Sequence, residues 1–273
     1  MKLYDLNRIL HVCMHEWRRV FVTGSGRLTL LTFFGAWVLL FHYPIRTAVD
    51  LIANSSDAAV IRSVLGDFGF KQLLQWPVAE LSVFWFAAML LLPFTCVLLS
   101  SDQFASDRQR GTIKFYLLRT RRSEFILGRF IGYASFFTML LMGLVLITLI
   151  YSNWRDPELF QLGLYQGMNT FFFLVVWMLP FMALTNFLNV LMPTGKKVIL
   201  VLMLMYIVLP FIDYIALAQW QINLQFSWLL PGLGIFSTMG EQGPELGNLI
   251  KPAWQSAIYL GLSLLLFRVR SLN

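Results

Sequence analysis

Six stretches of this chain are apolar over enough residues to cross a lipid bilayer, which restricts the fold to a bundle of membrane helices. A crossing helix needs about 20 mostly apolar residues, within a range of about 17–25. The stretches run approximately over 28–43, 77–100, 125–151, 168–192, 198–218 and 253–267. Hydrocarbon offers no partner to backbone N–H and C=O groups, so each segment must satisfy its own, as a helix does. The expected fold class is therefore all-α integral membrane protein with six transmembrane helices. Composition agrees: charged residues make up 13% of the chain, against roughly 25% in a soluble domain.

Charge placement sets the expected orientation. Segments 1–27, 101–129, 193–197 and 268–273 would share one side and hold 16 Lys/Arg, and the opposite connections hold five. Positively charged loops stay in the cytosol, so both termini and the 101–124 loop are expected there. The outer loops would be 44–76, 152–167 and 219–252, and the bacterial inner membrane is the location implied by the family resemblance given below. The net charge of +7 then reflects membrane orientation, and no nucleic-acid partner is expected. Charges spread through the first 25 residues leave no apolar core before a small-residue cleavage site, so no cleavable signal peptide is expected. Cys13 and Cys96 are too few for a disulfide framework and would both lie near the cytosolic side.

Residues 1–27 form the first unit, an amphipathic interface helix followed by a TGSG turn into the 28–268 transmembrane domain. Leu3, Leu6, Leu10, Cys13 or Met14, Trp17, Val20 and Phe21 recur at three-and-four spacing, with Lys2, Asp5, Arg8, Glu16, Arg18 and Arg19 mostly elsewhere on the wheel. Its apolar face is expected on lipid, and its polar face, with His15, Glu16, Arg18 and Arg19, is a candidate partner surface. His11 and His15 share a face, but Cys13 points about 200° from His11 and no third ligand follows, so no metal site is expected.

Between two apolar stretches stands SDQFASDRQRGTIKFYLLRTRRSEF, Ser101–Phe125, with six Lys/Arg and three Asp/Glu. Ser101–Arg110 would continue the second span as a polar helix, and Gly111 would end it in a left-handed conformation. Thr112 would cap a short helix through IKFYLL, and Ser123 would cap the next, with Glu124 in its first turn. Ile113, Phe115, Tyr116, Leu117 and Leu118 are too apolar for a free cytosolic loop.

DRQRGTIKFYLLRTRRSEFILGRF, Asp107–Phe130, resembles the cytosolic loop of ABC-2 type exporter permeases. The matching positions are Asp107-Arg108, Gly111-Thr112-Ile113, Leu117-Leu118 and Leu127-Gly128-Arg129. Thr120 or Arg121 stands where the family has proline, and Ser123 follows the arginines instead of preceding one. The six-span layout extends the likeness along the chain. The resemblance implies that 101–124 is a coupling loop seated in a groove of a separate ATP-hydrolysing subunit, through Asp107, Arg108, Arg110, Gly111, Thr112, Ile113, Lys114, Phe115, Leu117 and Leu118, with Ile113, Phe115 and Leu117 as the anchor buried in the partner. It implies two such ATP-binding subunits holding ATP and Mg, and a second permease copy in a homodimer, with a heterodimer as the alternative. It implies export of an apolar or amphipathic substrate or, alternatively, transmission of ATP-driven motion to a periplasmic protein without moving a solute.

No enzyme chemistry is expected in the chain itself. PTGKKV, Pro193–Val198, fails as a phosphate loop because Val190 replaces the first glycine and Lys197 the Ser/Thr. Pro93, Pro180 and Pro210 fall inside spans as kink sites. Ionisable groups in the bilayer are pathway candidates, and Glu80 and Asp213 qualify, in the outer third. Either could instead pair with Arg46, Lys71 or Lys251. Asn186 and Asn189 could line a pathway or bond neighbouring helices. The apolar run Phe226–Phe236, broken by Pro231 and glycines, reads as re-entrant or interfacial.

Overall fold

The computed structural model describes residues 5–42, 76–101, 104, 107–108, 111–222, 225–233, 239–240, 243–244 and 246–269. Arg46, Lys71, Arg110 and the expected surface helices of loop 44–76 lie outside the described residues, as does the side chain of Lys114. The described chain is almost wholly helical, and five of its helices are long and apolar enough to cross a membrane.

Asp5 caps α1 (Leu6–Val22) by accepting from the Asn7 amide. Thr23 then caps α2 (Gly24–Leu40), with its hydroxyl oxygen accepting from the Gly26 amide at 3.1 Å. A Cβ at Gly26 would collide with the Val20 carbonyl, which explains the glycine at that position. Seventeen residues span about 26 Å at 1.5 Å each, so α2 is the short member of the set and begins earlier than the stretch 28–43.

The long helices are α3 (Ala79–Ser100), α5 (Arg122–Arg155), α6 (Phe160–Leu191), α7 (Gly195–Trp220) and α8 (Ile250–Val269), and the short α4 (Thr112–Arg119) precedes α5. The prolines expected inside spans lie within α3, α6 and α7. α6 is the central helix. Of its most apolar window 67% is buried, against 11% for α7. α8 lies along α6, and α3 and α5 flank it. Trp37, Phe84, Trp85, Phe137, Phe173 and Trp177 fill the space between them.

The expected outer loop 152–167 is instead mostly helix. α5 runs to Arg155, Asp156 takes an extended conformation before Pro157, and α6 starts at Phe160. Proline disfavours α conformation in the preceding residue, so the turn forms there. The polar residues that weakened the apolar signal continue the helices beyond their apolar cores.

Phe226–Leu229 forms a 3-10 turn, and side chains of α7 and α8 bond the backbone around it. Tyr206, near the middle of α7, donates to the Pro231 carbonyl at 2.7 Å. Gln255 of α8 donates to the Trp228 carbonyl at 2.6 Å, and the Tyr259 hydroxyl donates to that of Leu229. Protein side chains thus satisfy three carbonyls of this irregular stretch, and 234–236, the rest of the run read as re-entrant or interfacial, lies outside the described residues. Beyond it, Met239–Gly240 and Gly243–Pro244 form a two-residue antiparallel pair, β1–β2.

Candidate functional site

One end of the bundle gathers the charged block of the sequence, here called the basic end. Gly111 takes φ +69°, a left-handed conformation that suits glycine, and it is the N-cap of α4. Thr112 is therefore not the cap. Its hydroxyl reaches back to the Asp107 carboxylate at 3.0 Å, tying α4 to the residues before the turn. Of the stretch expected to continue the second span, Arg108 donates its amide to the Phe104 carbonyl at 2.8 Å, one helical turn. Ser123 is likewise not the cap of α5. Arg121 holds that position, and Glu124 accepts from its amide at 2.9 Å. Buried Glu124 also accepts from the Asp5 amide at 3.2 Å, joining the starts of α1 and α5.

The centre of this end is Arg129, 1% exposed, the last residue of Leu127-Gly128-Arg129. Its Nε lies 3.2 Å from Glu16 Oε1 on α1, and a terminal nitrogen pairs with Asp107 before α4. Arg19 adds a second cation, 3.8 Å from Glu16 and 3.9 Å from Asp107. The Arg129 guanidinium stacks over the rings of Phe125 at 4.4 Å and Phe104 at 5.1 Å. A delocalised cation over aromatic faces is favourably placed. Three separate parts of the chain thus meet in one buried ionic cluster.

Glycines make that approach close. A Cβ at Gly128 would come within 2.7 Å of Val12 Cβ, and one at Gly132 within 3.2 Å of the Cys13 Cα and Glu16 Cβ. Small residues four apart let two helix backbones touch. The buried face of α1 is consequently Ile9, Val12, Glu16 and Val20, turned onto protein, while Leu6, Leu10 and Met14 stay exposed. This corrects the expectation of Glu16 on a polar outer face. The signal was legible, since Glu16 falls within that buried repeat. Gly128→Leu is expected to destabilise the chain by about 1–3 kcal/mol through overpacking, read as lowered thermal stability, whereas Gly143→Ala, with open space around it, serves as the silent control.

Arg108 extends the bracing by donating to the Met192 carbonyl at 2.9 Å, at the end of α6. Arg122 does the same for Phe267 and Arg268 at the end of α8. Cations at helix C-termini also complement the dipole. His15 Nε2 lies 2.9 Å from the Tyr116 hydroxyl, a direct link from α1 to α4. Burial raises the Tyr116 pKa, and the Glu16 charge raises it further, so the hydroxyl keeps its proton at neutral pH.

The apolar residues of α4 divide by face. Ile113 is buried, and Leu117 packs against the Phe104, Phe125 and Phe267 cluster. Phe115 and Leu118 are 70% and 81% exposed. The expectation that Ile113, Phe115 and Leu117 together form an outward anchor is thus corrected: Ile113 and Leu117 face inward, and the presented pair is Phe115 and Leu118. Arg18 is exposed on α1.

The pathway candidates are not brought together. Glu80, 0% exposed, pairs with Arg155 of α5, at 2.5 and 3.1 Å. The Asp213 carboxylate accepts from the amides of Phe226 at 2.8 Å and Ser227 at 2.6 Å, which ties the 3-10 turn to α7. Asn189 donates to the Ser100 carbonyl at 2.8 Å, bonding α6 to the end of α3. Asn186 is buried, and neither of its side-chain amide atoms has a hydrogen-bond partner among the described residues. No family model matches the chain, and no curated protein matches it.

Proposed function

We propose that this chain is the membrane permease subunit of an ATP-driven exporter of the ABC-2 type. In this reading α2 completes six spans, the basic end faces the cytosol of a bacterial cell, and two copies form the pathway. Two ATP-binding subunits supply hydrolysis, with ATP and Mg held there, and the cargo is apolar or amphipathic. The observation that carries the reading is the construction of α4. Its root is tied by Thr112, Ile113 and Leu117, and its free face holds Phe115 and Leu118 clear of the chain.

An exposed apolar pair on a braced helix is a natural anchor for a partner pocket. Motion of that partner reaches α1, α5 and α6 through Arg129 and Arg108, the connection a rigid-body switch requires. Glu80 and Asp213 are structural in this reading, because each carboxylate is already engaged.

The test is co-expression with candidate ATP-binding subunits of this transporter type and affinity capture in lipid nanodiscs. Phe115→Asp is expected to weaken capture roughly 30-fold or more, the scale of a hot spot of about 2 kcal/mol. Unchanged capture with an intact fold overturns the reading. ATP-driven movement of a far-side partner without solute transport would assign the same lever to the mechanical alternative.

A further inference from the structure

Three buried residues between α3 and α6 carry polar atoms that lack a hydrogen-bond partner. Trp85 of α3 and Thr170 of α6 are 0% exposed, and Gln166 of α6 is 2% exposed. The Trp85 indole nitrogen, both polar atoms of the Gln166 amide and the Thr170 hydroxyl make no hydrogen bond among the described residues. Thr170 departs here from other buried threonines of the bundle. Thr148 and Thr185 donate to the carbonyl one turn back, that of Leu144 at 2.9 Å and that of Phe181 at 2.7 Å. Thr170 leaves the equivalent bond unmade.

Contacts on either side place the three residues on one seam. Gly163, Gln166, Thr170 and Phe173 recur at three-and-four spacing, which is one face of α6. At one end of that face a Cβ on Gly163 would lie 3.7 Å from Val78, the N-cap of α3. At the other end the Phe173 ring centroid lies 6.3 Å from that of Trp85. Gln166 and Thr170 are therefore turned toward α3, between Val78 and Trp85. Room remains there, because a Cβ on Gly163 would meet nothing closer than 3.6 Å.

We propose that this seam holds resident water, bonded by Trp85, Gln166 and Thr170, as a tie between α3 and α6 in the half of the bundle away from the basic end. The set of donors and acceptors selects the occupant. An indole N–H only donates, whereas an amide and a hydroxyl both donate and accept. A cation would leave the indole and amide N–H groups unserved, and an anion would leave the Gln166 carbonyl oxygen unserved. Either ion would also bury its charge among three neutral side chains. Water serves both kinds of group, and a buried water typically makes about 3 hydrogen bonds to polar groups that are otherwise unsatisfied. The inference rests on these buried atoms alone and is independent of the export reading.

The test is hydroxyl-radical footprinting of the full chain in nanodiscs, with radicals made from water by X-ray pulses and oxidised tryptophans quantified by mass spectrometry. Trp37 is the dry control, 2% exposed and surrounded by the rings of Phe33, Phe41 and Phe84. Trp154, 86% exposed, is the wet control. Trp85 is expected to be oxidised about tenfold faster than Trp37, because radicals form in the water beside its ring. In the double variant Gln166→Leu, Thr170→Val the other polar partners are gone, and the Trp85 rate should fall toward that of Trp37 while Trp154 keeps its own. Equal rates for Trp85 and Trp37 in the parent overturn the proposal, as does a fast Trp85 rate that the double variant leaves unchanged. A second reading needs no change at Gln166 or Thr170. The ultraviolet resonance Raman difference between the parent and Trp85→Phe isolates the Trp85 indole, whose band should be that of a hydrogen-bonded N–H. A free N–H band there overturns the proposal whether or not the double variant folds.

Discussion

Replacing Arg129 by methionine is expected to cost about 3–5 kcal/mol, the price of leaving buried carboxylates without their partner. Glu16 is 2% exposed and Asp107 16%, so neither can recover its hydration without opening the packing of α1 on α5. Arg19 remains, but at 3.8 and 3.9 Å and from the rim it cannot supply a planar fork between the two carboxylates. Arg129→Lys should rescue little, because an ammonium is a single point charge without the stacking face that Phe104 and Phe125 receive. Neutralising the group together, by Glu16→Gln, Asp107→Asn and Arg129→Met, should recover much of the loss, since a buried ion pair replaced as a unit is often close to neutral. Thermal unfolding of the purified protein measures all three. The same Arg129→Met protein should also lose ATPase capture although Phe115 and Leu118 are untouched. Stability equal to the parent would show that the cluster does not brace α1 and α4.

Arg155→Leu is expected to be the second most damaging substitution, and more damaging than Glu80→Leu. The pair is asymmetric: Glu80 is fully buried, whereas Arg155 is 34% exposed. Without Arg155, the Glu80 carboxylate is stranded between α3 and α5, with an expected cost of about 3–5 kcal/mol. Without Glu80, the arginine can swing its long side chain toward water, and the expected cost falls to about 1–2 kcal/mol. Comparing the two variants by thermal unfolding checks the order, and an equal or reversed order would mean that Arg155 is not the compensating charge. On the proposed export reading, a Glu80→Leu protein that still folds should keep its transport, because this carboxylate is committed to a pair.

Several features were legible in advance because they depend on local rules. The apolar lengths marked α3, α5, α6, α7 and α8, and the left-handed glycine at Gly111 was expected from its position after a polar helix. The break in helix after Phe226 was legible from Pro231 and the glycines, and the structure has a 3-10 turn there with carbonyls satisfied by α7 and α8. Caps were less legible. Thr112 and Ser123 have the right chemistry for capping, yet Gly111 and Arg121 hold those positions, because the Asp107 and Glu124 carboxylates take the Thr112 hydroxyl and the Arg121 amide. The 152–167 turn was overestimated because polar residues lower hydropathy without ending a helix.

What the sequence determined by itself is the membrane character of the chain, most of its helices and the position of its charged block, all set by hydrophobic length and by residues within a turn of one another. What only the tertiary structure decided is which of those charges matter. Glu16, Asp107 and Arg129 stand far apart in the chain, and a charge is harmless in water but decisive when buried. Burial arises from helices packing side by side, here α1 against Gly128 and Gly132. No local pattern could pair Glu80 with Arg155, turn Ile113 inward or leave Phe115 outward, because each outcome depends on the face a neighbouring helix covers.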